Sequence, residues 1–443
     1  MLKTPLIITA LSTALLCSQS FASKEVRFQR PDPIHKPAKT STPAAPLSDW
    51  WNGPYATGNW GGARQSLADH GVAINGSVTF AFLGNPTGGE SRGVAQNFSA
   101  GLSLAVDFGK LFKIKALEDT DFFTDFVQRG GNNLSAEHTK NQFTASQSYG
   151  GQNFRVNEFY LKQSFLDKKA WIKFGRLDAG NDFLNSPLFC TFVNNSFCGN
   201  PVGVFFNVPY SAYPNAQWGA LVGGKPTDYL VAKFGVYNTN QDVALNHYHG
   251  TNLSFDNNQG VQLIGSLTYL LNQGQYDTGY TGSYTAGMMY YTAKNTSAGS
   301  TDAGYFLNLE QMLYRDGPSG STRWLKAFTN IEIFNHWDTS YMPLFVNAGL
   351  VYQGLLTSRP LDQLALGVSY GRFGTDNINN NGASFGAETL IELTYKIQVN
   401  PWFFVQPDLQ LMIHPFGGSA TLAKTTTPPA SAWVVGFETG VTF

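Results

Sequence analysis

Short segments in which apolar and polar residues alternate recur along most of this chain. The stretches 102–108 and 433–443 show the pattern clearly. In the second of them, Trp433 and Phe437 fall on one side and Glu438 falls on the other. Because successive side chains of a β-strand point to opposite sides, a period of two predicts strands with one apolar and one polar face.

We predict strands over about sixteen such segments, from residue 74 to the end of the chain. The segments are 74–82, 97–108, 118–128, 154–166, 170–177, 216–222, 228–238, 260–270, 283–292, 303–313, 322–337, 344–354, 362–371, 387–397, 402–412 and 432–443. Most of them have about the 9–11 residues that a tilted strand needs to cross a bilayer. Single-chain bacterial outer-membrane barrels have an even number of strands, so the pattern predicts an all-β fold, a transmembrane antiparallel β-barrel of about 16 strands.

The connections between these segments alternate between long loops and short turns, and barrels place their short turns at the periplasm. Three of the short connections contain typical turn residues, namely 167–169, 223–226 and 316–320. The first connection, 83–96, is predicted to be long, and the pattern is weakest between 271 and 361. A soluble β-sandwich would also alternate apolar and polar residues, but its loop lengths would not alternate.

The composition fits a barrel wall with one wet face and one lipid face. Charged residues make up 13% of the chain and aromatic residues 14%, with a net charge of -1 and a mean hydropathy of -0.17. Because the acidic and basic residues nearly cancel, the chain has no positive electrostatic field that would attract nucleic acid. The charges predicted to face the lumen have both signs, which argues against strong ion selectivity. They are Asp107, Asp125, Arg129, Glu158, Lys162, Lys173, Lys233, Glu310, Glu332, Glu388, Glu392, Lys396, Asp408 and Glu438.

The first part of the chain has the features of an export signal followed by a spacer. Residues 1–22 combine a lysine, a short apolar core and a small-x-small cleavage site, and they predict a signal peptide. Residues 23–49 are rich in proline and predict an extended periplasmic linker. We assign 50–73 to an N-terminal periplasmic segment with a short helix and 74–443 to the β-barrel domain. Acylation at Cys17, as in a lipoprotein, is the alternative for the N-terminus.

Two cysteines, Cys190 and Cys198, remain in the exported part of the chain. An even pair of cysteines in an exported chain predicts a disulfide, which would stabilise the fold by about 2.5 kcal/mol in the chain-entropy model. Two free thiols are the alternative. The two cysteines have no histidine nearby to complete a zinc site, so we predict no metal and no cofactor.

Several motifs occur in an order that is specific to one family of channels. They are found at 58–64, 158–163, 173–178, 189–201, 213–219, 235–238, 406–410 and 415–418. On these residues, which span nearly the whole exported chain, the sequence resembles the carbohydrate-selective outer-membrane porins of the OprB type. It departs from the family pattern at Phe416, where the family more often has Asn-Pro-Gly-Gly.

The resemblance implies a barrel in the bacterial outer membrane through which monosaccharides, such as glucose-like sugars, diffuse passively. The implied partners are neutral sugars as transported solutes, together with outer-membrane lipid and lipopolysaccharide. The family resemblance leaves open whether the barrel is a monomer or a homotrimer. It implies no enzymatic activity.

The long stretch 178–215 is the best candidate for a constriction of the lumen. Its six phenylalanines would be poorly solvated in water, so we predict that it folds into the barrel. Its aromatic candidates either contact sugar or pack on the wall, and they are Phe189, Phe192 and Phe197. The polar candidates for the constriction are Glu158, Arg176, Asp178, Arg129, Asp125 and Lys173. For Arg176 and Asp178, a local salt bridge at the strand end is the alternative.

Other functions stay open from the sequence alone. A porin that is nonspecific or selective for a charged solute would share every feature above, and so would a structural barrel without an open pore. An exported glycoside hydrolase needs two carboxylates about 5–10 Å apart, and the chain has no recognisable catalytic motif that contains such a pair. His247 and His249 could ligate a metal, although solvated histidines in a long loop are the simpler interpretation.

Overall fold

The structure is a computed structural model, and it describes residues 50–150, 153–198, 202–255, 260–274, 277–292, 303–318 and 321–443. The predicted signal peptide 1–22 and linker 23–49 lie outside the described residues, and so does Cys17. The described part of the chain forms a closed antiparallel barrel.

Sixteen strands make up the barrel wall. They are β1 (Val72–Gly89), β2 (Gly93–Asp107), β3 (Thr120–Gly131), β4 (Phe154–Phe165), β5 (Ala170–Leu177), β6 (Gln217–Thr227), β7 (Leu230–Asn238), β8 (Val261–Leu271), β9 (Gly282–Tyr291), β10 (Ala303–Arg315), β11 (Trp324–Phe334), β12 (Leu344–Gln353), β13 (Gln363–Arg372), β14 (Ala387–Asn400), β15 (Phe403–Ile413) and β16 (Ala430–Thr442). Each strand pairs with the next one in the sequence, and β16 closes the barrel on β1. Closure pairs every strand edge, which a sheet in a bilayer requires. The predicted fold class is confirmed, and each predicted strand has a counterpart in the wall.

The two faces of the wall differ as the alternation predicts. On β16, Trp433 and Phe437 are exposed on the outer face, whereas Glu438 is buried inside the barrel. Outward rings also pack across neighbouring strands, as Phe82 and Phe437 do with their ring centres 5.3 Å apart. An apolar outer face suits lipid, because a lysine or arginine at the bilayer midplane would cost about 2–4 kcal/mol.

The first hairpin differs from the prediction. The segment 83–96, predicted as a long connection, is mostly strand, and only 90–92 lie between β1 and β2. The pairing of β1 with β16 continues through two register shifts, one between Gly84 and Thr87 and one between Thr87 and Gly89. These bulges keep the chain extended through a stretch rich in proline and glycine, a composition that otherwise predicts a turn.

Short helices lie before β1 and in the connections. They are α1 (Ala63–Asp69), α2 (Phe108–Phe112), α3 (Ala179–Phe183), α4 (Val202–Asn207), α5 (Thr375–Asn381) and α6 (Ala420–Ala423). The short helix predicted within 50–73 corresponds to α1. Within the described residues, every helix is too short or too polar to cross a membrane.

The two long loops from β3 to β4 and from β5 to β6 fold into the barrel. Phe143 of the first loop and Phe192 of the second join one buried core with Phe345 and Leu390 of the wall. A second core forms where the β5–β6 loop meets the inner face of β6 to β11. The loops therefore occupy the lumen on the side of the long connections, which is the extracellular side in a barrel of this kind.

Candidate pore constriction

Glu388, on the inner face of β14, holds two connections at once. Its carboxylate accepts hydrogen bonds from the N–H groups of Gln142 and Phe143 in the β3–β4 loop, at 2.8 Å each. It also accepts from the N–H of Phe416, between β15 and β16, at 2.8 Å. A carboxylate that accepts from several backbone N–H groups satisfies donors that would otherwise be buried without a partner. Glu388 therefore fixes the β3–β4 loop inside the lumen.

Other inward glutamates of the wall also serve the loops. Glu438 of β16 accepts from the hydroxyl of Ser148 at 3.2 Å. Glu332, Glu388, Glu392 and Glu438 are all at most 4% exposed. The sequence places these four charges on the lumen side, and the structure shows them covered by the loops. They support the constriction, and they do not line open water.

The phenylalanines of the β5–β6 loop pack on the wall. Phe189, Phe192 and Phe197 are each 0% exposed. Phe192 stacks on Phe197 with ring centres 4.3 Å apart, and all three rings lie 5.2 to 6.3 Å from Phe328 of β11. Burial of large rings in such edge and stacked contacts stabilises the loop inside the lumen.

The tip of the same loop is cross-linked. The Sγ atoms of Cys190 and Cys198 are bonded at 2.05 Å, and their Cα atoms are 4.2 Å apart. Within the bridged segment, the N–H groups of residues 193–194 donate to Glu392 of β14 at 2.5 and 3.1 Å. A covalent bond, ring packing and a wall carboxylate thus fix this tip together.

A bulge in β4 brings polar groups together at the base of the loop. The register between β3 and β4 shifts between Thr124 and Phe126, which places Asp125 opposite both Asn157 and Glu158. Asp125 accepts from the N–H of Glu158 at 2.6 Å and from Nδ2 of Asn157 at 3.1 Å. Bulges often redirect side chains next to functional sites, and this one turns three polar side chains into the lumen.

Glu158 connects this bulge to the start of the β5–β6 loop. Its carboxylate accepts from the N–H of Asp178 at 2.7 Å and from Nδ2 of Asn181 at 3.3 Å. Asp178 caps α3 by accepting from the N–H of Asn181 at 3.2 Å. Burial is the main cause that raises the pKa of Asp178 to about 8, with a further contribution from the nearby charges of Asp182 and Asp125.

Lys173 supplies a positive charge beside these carboxylates. Its Nζ lies 2.6 Å from the carboxylate of Asp182 and 4.8 Å from the ring centre of Tyr160. Lys233 of β7 donates to the backbone carbonyl of Asp182 at 2.5 Å. Two lysines from the wall thus hold α3 through an ion pair and a hydrogen bond to Asp182, and Lys173 also makes a cation–π contact within the wall.

Arg176 ties two loops together. Its Nε and Nη2 donate to the carbonyl of Ala216 at 2.9 and 2.6 Å, and its Nη1 donates to the carbonyl of Gly250. Ala216 ends the β5–β6 loop, and Gly250 lies in the β7–β8 loop. Because Arg176 bonds to these carbonyls and Asp178 caps α3, the two side chains serve different partners.

Arg155 is a polar residue of the site that the alternation pattern does not predict. Counting by two from Glu158 along β4 puts Arg155 on the lipid face, but the bulge turns it inward, where it is 1% exposed. Its Nε donates to Asn153 at 3.2 Å, and its Nη2 donates to Asn246 at 3.0 Å. Arg155 therefore links β4 to the β7–β8 loop.

Arg129 of β3 lies close to Arg155. Its guanidinium carbon is 4.9 Å from the ring centre of Tyr213, in the β5–β6 loop. The positive charges of Arg129 and Arg176 lie close enough to repel the guanidinium of Arg155. The structure thus brings all six predicted polar candidates to the base of the β5–β6 loop and adds Arg155 to them.

The half of the lumen below the loops is wetter and also has charges of both signs. Its inward-facing charged side chains are half-buried, in contrast to the covered glutamates above. They include Lys162, Lys326, Lys396, Asp121 and Glu310. Acidic and basic groups therefore face the lumen in this half as well.

The comparison with protein families settles what kind of barrel this is. The family model described as "Carbohydrate-selective porin, OprB family" matches residues 91–443. The chain belongs to this family. As an OprB-family porin, it is a channel of the bacterial outer membrane and not an enzyme.

Relatives and solved structures agree with this membership. The OprB-family chain is 25% identical to Porin B of Pseudomonas aeruginosa over 408 residues, which cover 83% of this chain and 88% of the relative. The high-pH structure of Pseudomonas putida OprB has a TM-score of 0.77 at 23% identity, and the low-pH structure has 0.58 at 20% identity. Each match covers 88% of this chain and 99% of the other chain. The two structures support the barrel fold of this OprB-family porin.

Proposed function

We propose that this carbohydrate-selective porin lets neutral monosaccharides, such as glucose-like sugars, diffuse passively across the outer membrane. The observation that carries the proposal is the mixed-charge cluster at the base of the inward loop. There Glu158 and Asp178 lie beside Lys173, which is paired with Asp182. Sugar hydroxyls both donate and accept hydrogen bonds, so groups of both kinds suit a neutral polyol without favouring ions of one sign.

The inward loops limit the size of the solute that the lumen admits. A barrel of 16 strands alone would leave a wide aqueous channel. Here two long loops with buried cores of their own fill much of the lumen on the extracellular side. A narrowed passage favours small solutes over larger ones, which distinguishes the proposal from a general diffusion porin.

Flux through reconstituted vesicles tests the preference for neutral solutes. We expect glucose and arabinose to enter liposomes that contain the porin, while potassium and chloride permeabilities stay close to each other. The reason is that the constriction offers both signs of charge. Slow sugar entry combined with a strong preference for one ion would support a porin for a charged solute and would contradict the proposal.

A matched pair of variants connects this flux to the cluster. Glu158→Gln replaces one of the two carboxylate oxygens that accept from Asp178 and Asn181 by an NH₂ group that cannot accept, and we expect sugar entry to fall several-fold. Glu118→Gln changes an exposed carboxylate in the turn before β3, and we expect no effect. Equal sugar entry in the two variants would show that the cluster does not contribute to sugar transport.

The transport path lies within one chain, because the barrel closes on itself. A monomer and a homotrimer would therefore both transport sugar through the same route. In either assembly, we propose that outer-membrane lipid and lipopolysaccharide surround the apolar outer face.

A further inference from the structure

Tyrosines form part of a girdle around the outer face near the periplasmic turns. Tyr269 and Tyr284 stack across β8 and β9, with ring centres 6.4 Å apart. Tyr314 and Tyr352 lie 6.4 Å apart on β10 and β12, and Tyr395 continues the row on β14. Aromatic residues with a polar edge prefer the level of the lipid headgroups, so this row marks the periplasmic membrane interface.

The row has a gap on the strands that follow β14. Over their described ranges, β15, β1, β2 and β3 contain no tyrosine and no tryptophan. Trp433 of β16 lies near the extracellular end of its strand. At the periplasmic end, the outer face of this sector presents apolar side chains without a polar edge, such as Ile74, Phe403 and Val441.

The segment before α1 packs against this same sector. The ring centre of Trp50 lies 4.9 Å from that of Trp402, in the turn between β14 and β15. The Nε1 of Trp402 donates to the carbonyl of Trp50 at 3.3 Å. The N–H of Ala56 donates to the carbonyl of Thr442, at the end of β16, at 2.9 Å. A turn at one side of the gap and a strand end within it thus hold the segment.

Trp51 completes a three-ring cluster with these residues and stays open to its surroundings. Its ring centre lies 6.1 Å from that of Trp50 and 5.8 Å from that of Trp402. Trp51 is 47% exposed and Trp50 is 43% exposed. Contiguous exposed rings of this size mark an interaction surface, and here the surface continues the aromatic row of the barrel.

A positive charge lies in the same segment. The guanidinium carbon of Arg64 lies 3.8 Å from the ring centre of Tyr55 and 4.0 Å from that of Trp60. Its Nη1 donates to the carbonyl of Ile74 at 3.0 Å. The hydroxyl of Tyr55 donates to Oδ1 of Asn75 at 3.3 Å, so this guanidinium lies at the periplasmic rim of β1, at the level where lipid headgroups meet the protein.

We propose that residues 50–64 complete the aromatic girdle and sit in the headgroup region of the periplasmic phospholipid leaflet. Trp51 is the ring that faces the lipid. The N-terminal segment then anchors the β15–β3 sector at the interface, a role that the strands of that sector do not fill themselves.

Tryptophan quenching in vesicles tests this placement. The porin is reconstituted in phosphatidylcholine that is brominated near the headgroup end of its acyl chains, and iodide in the buffer serves as the second quencher. One of the nine tryptophans of the chain is replaced at a time. We expect Trp51→Phe to remove emission that the brominated lipid quenches, by about the amount that the lipid-facing control Trp433→Phe removes.

The control for a ring outside the bilayer is Trp337→Phe, in the connection between β11 and β12. If Trp51→Phe removes iodide-quenched emission, the ring faces the periplasm, a glycan or a soluble protein, and the proposal is wrong. If it removes emission that neither quencher reaches, protein covers the ring, for instance residues 23–49, and the proposal is wrong as well. A heat-modifiable gel shift confirms that each variant forms the barrel.

Discussion

At the scale of single residues, Asp178 is placed where one proton changes the charge of the constriction. Burial raises the pKa of this carboxyl well above its usual range, so it gains its negative charge at a higher pH than an exposed carboxyl does. A new negative charge in a pore favours cations. We therefore expect the ratio of potassium to chloride permeability to rise between pH 6 and pH 9, as measured by reversal potentials in a salt gradient.

Asp178→Asn separates this effect from the other carboxylates near it, among them Asp125 and Asp182. Asparagine caps a helix about as well as aspartate, so α3 keeps its N-terminal hydrogen bond. We expect the variant to lose most of the pH-dependent change in selectivity. A variant that keeps the full change would show that Asp178 is not the group that titrates.

Arg155 shows where the alternation pattern fails to predict the face on which a residue lies. The alternation rule assumes an unbroken register, and a single bulge opposite Asp125 reverses the face of every residue on one side of it. Phe154 and Val156, on either side of Arg155, are apolar, so the local alternation around Arg155 indicates that it lies on the polar face. Which of the charges are covered by loops could not be predicted from the sequence, because the contacts of Glu388 with Gln142 join residues far apart in the chain.

At the scale of elements, the β3–β4 loop depends on one wall carboxylate. Glu388 accepts from three N–H groups of two connections. Glutamine cannot accept through its NH₂ group, so Glu388→Gln leaves at least one of these donors without a partner, at a cost of about 1–3 kcal/mol. We expect a looser loop and a higher single-channel conductance in planar bilayers.

Glu118→Gln is again the matched control, since its carboxylate is exposed in a periplasmic turn. An unchanged conductance in Glu388→Gln, with a normal heat-modifiable gel shift, would show that this carboxylate does not hold the loop in place.

The strands were the most predictable elements, because a membrane-spanning strand must alternate along its whole length. β14 and β16 correspond closely to the segments predicted for them. The prediction of a long loop at the first hairpin was wrong. Proline and glycine in 84–89 predict a turn, but the bulged pairing with β16 keeps these residues in the strand. Such pairing depends on the last strand of the chain, which local sequence does not contain.

At the scale of the whole molecule, the low charge content and the neutral hydropathy have one cause. The outer face of the wall admits few charges, and the inner face places charges of both signs around the lumen. Two long loops fold into the lumen, and we propose that they narrow the passage. Such a passage would transport small neutral sugars and restrict larger ones.

The ratio of glucose to sucrose entry, measured by swelling of liposomes that contain the wild-type porin, tests this claim most directly. The two solutes are both uncharged, so charge in the lumen cannot distinguish them, and only size and hydrogen bonding can. We predict that glucose enters many times faster than sucrose. Entry at similar rates would mean that the inward loops do not narrow the path, and it would contradict a monosaccharide-selective channel.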